Sequence, residues 1–334
     1  MGRIVKCALI TAGILIVSGC NFGGELGWTL SGMSKLTAVN SNFNNATSMV
    51  ATDTHAYVLD VQEYGLPALV KVVDITGSEA NIVGTVELVS TNYHGGSKGL
   101  VVNGSIVFVP YDYVYAIDVS DPENPSVYGT FGTGNGAFYD LVLSDDTNTL
   151  VASPGFRVLD VTDPAAIVEL AALPEIGDIY FSMDLAIDGD IVFALDDGNI
   201  LPVDISDPAN PDALEASRYS AAGDFDAITI ANGDLYAAYR EMNAGLDVLD
   251  ISDLGSISVK EHLEGSFSWL GGTGFCGTVP EAAGGTAGFV EPPNLFGFYT
   301  LPPTGAFPQA IFSYSGGDMV VVAFGTEGIA TFSR

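Results

Sequence analysis

Residues 116–125 read AIDVSDPENP, and that stretch decides the fold. It is a short apolar run, an aspartate (Asp118), one more strand step and a Ser-Asp-Pro turn. The chain repeats it as VLDVTDPAAI (158–167), PVDISDPANP (202–211) and VLDISDLGSI (248–257). A degenerate copy, VVDITGSEAN, occupies residues 72–81. The anchoring aspartates are therefore Asp74, Asp118, Asp160, Asp204 and Asp250, spaced 44, 42, 44 and 46 residues apart. A period in the forties marks a repeat architecture in which one supersecondary unit is copied.

Each unit divides into four strands. The unit around Asp118 gives KGLVVNG, SIVFVPY, VYAIDVSDPENP and SVYGTFGTG. The unit around Asp204 gives SMDLAI, DIVFALDDG, NILPVDISDPANP and ALEASRYS. The Asn103-Gly104 and Asp188-Gly189 pairs predict tight hairpin turns, because these residues accept the positive φ that two-residue loops need. Helical periodicity is nearly absent. Four short antiparallel strands per forty-odd residues predict an all-β chain of propeller blades. The irregular ends give seven blades if residues 266–305 form a divergent blade, and six if they are an insertion. The C-terminal stretch supplies only three strands, so an N-terminal strand, WTL or KLTAV, is expected to complete the last blade and remove a sheet edge.

The V-x-D-[VI]-[ST]-D-P segments resemble the LVIVD-repeat family of bacterial and archaeal cell-surface proteins. That resemblance covers about residues 70–265 and implies a surface-located β-propeller, with no particular activity attached.

The N-terminus bears on location. Arg3 and Lys6 precede a ten-residue apolar run, Ala8–Val17, too short for a bilayer span of about 20 residues. This is a secretory signal pattern. Its end, Val17-Ser18-Gly19-Cys20, resembles the bacterial lipobox. The resemblance implies cleavage after residue 19 and a lipid on Cys20, which would fasten the protein to a membrane. Asn21, in place of the aspartate typical of inner-membrane lipoproteins, points to the outer membrane of a Gram-negative host. Residues 20–47 then read as a tether with a closing strand, and 48–334 as the propeller.

The chain carries 41 Asp and Glu against 10 Lys and Arg, for a formal charge of −31. Nucleic-acid binding through a basic patch is excluded by that balance. The three cysteines, Cys7, Cys20 and Cys276, allow no disulfide framework once the first leaves and the second is acylated. Stability must come from a hydrophobic core. The 48% hydrophobic and 15% charged content suits strands buried on both faces.

The repeated aspartates read as turn-formers, since a carboxylate before a tight turn accepts backbone N–H groups and proline presets the next φ. Ligand sites are instead expected where the repeats differ, at the loops entering each innermost strand. Those loops carry His94 and Lys98 (TNYHGGSKG), Tyr139-Asp140, Met183-Asp184, Asp224 and Asp226. Asp140 and Asp184 occupy matching places. With Asp226 they form a possible Ca²⁺ or cationic-ligand site. No other cofactor is implied. His55 and His262 lack any zinc spacing and read as surface residues. No G-x-S-x-G elbow or phosphate loop occurs. Cys276 reads as a buried thiol. Two functions follow as expectations. One is a monomeric, lipid-anchored binding scaffold for an envelope or extracellular protein, a glycan or a small ligand. The other is a Ca²⁺-dependent lactonase or esterase acting at the channel mouth.

Overall fold

A computed structural model describes residues 42–263 with their side chains, except 64, 77–79, 90–96, 98, 133–136, 177–183, 232 and 241–244. Outside that range it describes the backbone of strands at 35–40 and within 266–333.

Among the described residues the strands pair into seven four-stranded antiparallel sheets. The first comprises Ala46–Ala51, His55–Asp60, Leu69–Asp74 and Asn81–Glu87. The second comprises Val101–Asn103, Ile106–Pro110, Val114–Asp118 and Ser126–Phe131. The third, fourth and fifth repeat the order and end on Val168–Ala172, Asp212–Ala213 and Ser258–Leu263. Ser266–Gly271, Gly274–Thr278, Ala287–Glu291 and Leu295–Phe298 form a four-stranded sheet of their own. In the last sheet Lys35–Asn40 pairs with Ile329–Ser333, so the segment containing KLTAV closes the ring from the outside. The innermost strands neighbour one another in sequence order, and the last neighbours the first.

The core lies between the sheets. Val50, Leu59, Val70, Val107, Tyr115 and Ile117 pack between the first and second. Phe108, Ala116, Leu141, Leu150 and Leu159 pack between the second and third. The middle strands are buried on both faces, which explains their unbroken Val-Ile-Leu runs. Alternation returns in the outermost strands, as in Ser126–Phe131, where every other residue is exposed.

Two faces result. The turn face carries the hairpins between first and second strands and the Ser-Asp-Pro turns between third and fourth. Its hairpins differ slightly from expectation. Asn103 pairs with Ile106 and Asp188 with Ile191, so the turn residues are Gly104-Ser105 and Gly189-Asp190. Glycine takes the first central place, with φ of 59° and 58°. The loop face carries the other connections.

The Ser-Asp-Pro turn also joins neighbouring sheets. Each outermost strand of the first, second, third and fifth sheets bulges at one place, skipping Val83, Tyr128, Leu170 and Lys260. Next to the first two bulges stand Gly84 and Gly129. A Cβ on Gly84 would lie 2.1 Å from the carbonyl oxygen of Pro122, and one on Gly129 2.1 Å from that of Pro164. The turn of one sheet thus seats on bare backbone of the sheet before it.

Ring closure has its own latch. Asp60 is fully buried. Its Oδ1 accepts the amides of Asn44 (2.8 Å) and Asn45 (2.7 Å), in the link that follows the closing strand. Lys71 Nζ sits 2.6 Å from Asp60 Oδ2, donates to the Asn42 carbonyl at 2.6 Å and lies 4.7 Å from the Phe43 ring centre.

Candidate functional site

The repeated aspartates form turns, as their position before Ser-Asp-Pro predicts. Oδ1 accepts the amide two residues on in every copy: Asp74 from Thr76 (2.8 Å), Asp118 from Ser120 (2.8 Å), Asp160 from Thr162 (2.9 Å), Asp204 from Ser206 (2.8 Å) and Asp250 from Ser252 (3.0 Å). The second aspartate repeats the device, with Asp121 and Asp163 accepting from Glu123 and Ala165. These bonds favour the ionised form and hold all five first aspartates below the usual 3.8. The backbone amide is the main cause at Asp118 and Asp204, and the neighbouring hydroxyl at Asp74, Asp160 and Asp250.

Asp140 and Asp184 occupy matching places for a related reason. They are 4% and 2% exposed. Asp140 Oδ1 accepts the Leu141 amide at 2.9 Å, and its Oδ2 accepts the Leu185 amide of the next sheet at 2.7 Å. Asp184 Oδ2 accepts the Ile228 amide of the sheet after that at 2.8 Å. Toward the preceding sheet, Asp140 fits against Gly99, where a Cβ would lie 1.8 Å from Oδ1. The two carboxylates therefore staple the innermost strands of adjacent sheets.

Asp226 does not join them. It is the bulge residue of Phe225–Ala231 and stands half-exposed, 3.7 Å from Arg240, which also approaches Asp224 at 3.6 Å. Among the described residues no three His, Cys, Asp or Glu side chains converge as a metal site would require. His94, Lys98 and Met183 lie outside the described residues, as do Cys20 and the side chain of Cys276.

Polar clusters on the loop face escaped the sequence reading. Arg218 bridges Asp196 (2.5 Å) and Glu215 (2.9 Å), and those bonds, Glu215 foremost, raise its pKa further. Tyr115 donates to buried Asp112 at 2.7 Å. Asp247, 4% exposed, receives Tyr239 Oη at 2.7 Å and lies 2.6 Å from His262 Nδ1. His262 is thus half-exposed on an outermost strand but bound to a buried acid. Only its register partner betrays this, since Asp247 pairs with His262 across the sheet.

No helix among the described residues is long and apolar enough to cross a membrane. No curated protein matches the chain. Among solved structures it is similar to the β-propeller domain of Cps50 (Swd1) from Myceliophteria thermophila. That match has 12% identity over 87% of this chain and 97% of that one, with a TM-score of 0.61. A functionally unknown protein from Desulfotomaculum acetoxidans matches at 9% identity, 78% and 86% coverage and a TM-score of 0.57. PorZ, a surface component of the type-IX secretion system of Porphyromonas gingivalis, matches at 12% identity over 86% of this chain and 37% of its own, with a TM-score of 0.56. At such identities the likeness is one of fold, and the fold is a β-propeller. Residues 181–219 and 223–264, the span of the fourth and fifth sheets, match the model of the LVIVD repeat.

Proposed function

We propose that the protein is a seven-bladed propeller scaffold, held at the outer membrane by a lipid on Cys20, that binds an envelope or extracellular protein or glycan. The observation carrying this reading is where the recurring acids are spent. Asp118 and its copies shape turns, and Asp140 and Asp184 staple sheets. What varies from repeat to repeat is the loop face, with its separate ion pairs at Arg218 and Arg240. A propeller that keeps its frame constant and varies one face is suited to displaying a docking surface.

The alternative is a Ca²⁺-dependent hydrolase with Asp140, Asp184 and Asp226 at the channel mouth. It has less support, because the first two carboxylates already serve backbone amides. Thermal unfolding in Ca²⁺, in Mg²⁺ and in chelator separates the readings, since a ligand of the folded state raises its apparent stability. The scaffold reading expects equal midpoints in Ca²⁺ and Mg²⁺. A Ca²⁺-specific rise abolished by Asp226→Asn would favour the hydrolase.

A further inference from the structure

Five aspartates are buried among the described residues: Asp60, Asp112, Asp140, Asp184 and Asp247. Four of them meet the donors given above. Lys71 and two link amides meet Asp60, and amides of the next sheet meet Asp140 and Asp184. Tyr239 and His262 meet Asp247. Asp112 differs. It is 1% exposed, and its Oδ1 accepts from Tyr115 Oη at 2.7 Å. Its Oδ2 is buried and has no hydrogen-bond partner among the described residues. None of the ion pairs among those residues involves Asp112.

Asp112 sits in the loop-face connection between Ile106–Pro110 and Val114–Asp118 of the second sheet. The Tyr111 amide closes that connection by donating to the Tyr113 carbonyl at 2.9 Å. Three tyrosines surround the turn. Tyr111 and Tyr115 are buried in the core between the first and second sheets. Tyr113 packs against the same core and meets Tyr115 edge-on, with ring centres 5.7 Å apart.

A buried carboxylate with one donor and no counter-charge is strongly disfavoured unless a cation joins it. A water would supply a hydrogen bond but no charge. The surroundings narrow the cation. A divalent ion such as Ca²⁺ takes about 6–8 oxygens, commonly from several carboxylates. Among the described residues no three His, Cys, Asp or Glu side chains converge. One carboxylate balances one unit of charge, and tyrosine rings favour a cation near their faces. Near-complete burial restricts it to a small ion. We propose that Asp112 Oδ2 binds a small monovalent cation, Na⁺ or K⁺, at the loop-face end of the joint between the first and second sheets.

Thermal unfolding of the full-length protein tests this in NaCl, KCl and N-methylglucammonium chloride at equal ionic strength. Chelator is present throughout, so no divalent ion contributes. The midpoint is expected to be at least about 2 °C higher in Na⁺ or K⁺ than in the bulky cation, and to saturate with concentration. Asp112→Asn is expected to abolish the difference. Hydrogen exchange of the wild-type chain locates the effect without a variant. Slowing in Na⁺ or K⁺ is expected to centre on residues 110–115. Equal midpoints in all three salts overturn the proposal. So does a difference that persists in Asp112→Asn, or slowing spread evenly over the sheets.

Discussion

Asp140 of the third sheet holds the amide of Leu185 in the fourth at 2.7 Å, 45 residues along the chain and about one repeat away. The same bond recurs one sheet later between Asp184 and Ile228. A carboxylate and an amide at equivalent places in successive repeats turn a sequence period into a ring of linked strands. Neither bond exists until two repeats have met, so each rewards assembly rather than local folding.

The latch at ring closure is the most concentrated polar contact described. Asp60→Ala leaves Lys71 beside the Asn42 carbonyl without its counter-ion and two link amides without their acceptor. Breaking such a buried pair costs about 3–5 kcal/mol. Urea denaturation followed by tryptophan fluorescence is expected to show that loss. A double variant, Asp60→Asn with Lys71→Met, is expected to recover part of it.

Gly84→Ala and Gly129→Ala force a methyl into the carbonyls of Pro122 and Pro164. Overpacking against backbone costs about 1–3 kcal/mol. Gly104→Ala, where a Cβ meets nothing within 4 Å, is strained only through its φ of 59°. The midpoints should fall further for the first two variants than for the third.

The turn aspartates set an acid limit. Folded Asp118 and Asp160 have pKa values below 3.8, so the folded state binds fewer protons than the unfolded one as pH falls. Their contribution is present above the unfolded value and is lost as pH drops through the folded value. Solvent exposure keeps each to about 0.5 kcal/mol or less. The stability difference between wild type and Asp118→Ala is expected to be constant from pH 7 to about pH 5 and to shrink below pH 4.

Cys20→Ser is expected to move the protein from the membrane fraction to the soluble one. Retention of the variant in membranes would refute acylation as the anchor.

Much of this was readable from residues 116–125 and their copies. Strand order and the turn role of Asp118 follow from period and turn chemistry, which are local. The three-stranded C-terminus calls for a closing strand from WTL or KLTAV, and only the pairing of Lys35–Asn40 with Ile329–Ser333 decides between them. Asp140 and Asp184 look like site residues in sequence because they are polar and sit beside apolar strands. Asp140 fits against Gly99, and both carboxylates bind amides one repeat away, which no local pattern displays. The Tyr239–Asp247–His262 cluster is hidden for the same reason. Its members come from three strands and meet only through register.

The central claim is that the recurring acids build the frame and that function lies on the loop face. Equilibrium denaturation of Asp140→Ala and Asp184→Ala tests it most directly. Asp140→Ala leaves the Leu141 and Leu185 amides without that acceptor and Asp184→Ala the Ile228 amide, and a loss of about 1.5–3 kcal/mol is predicted for each variant. Unchanged or raised stability in both would contradict the account, because carboxylates that cost stability where they stand are kept for a ligand.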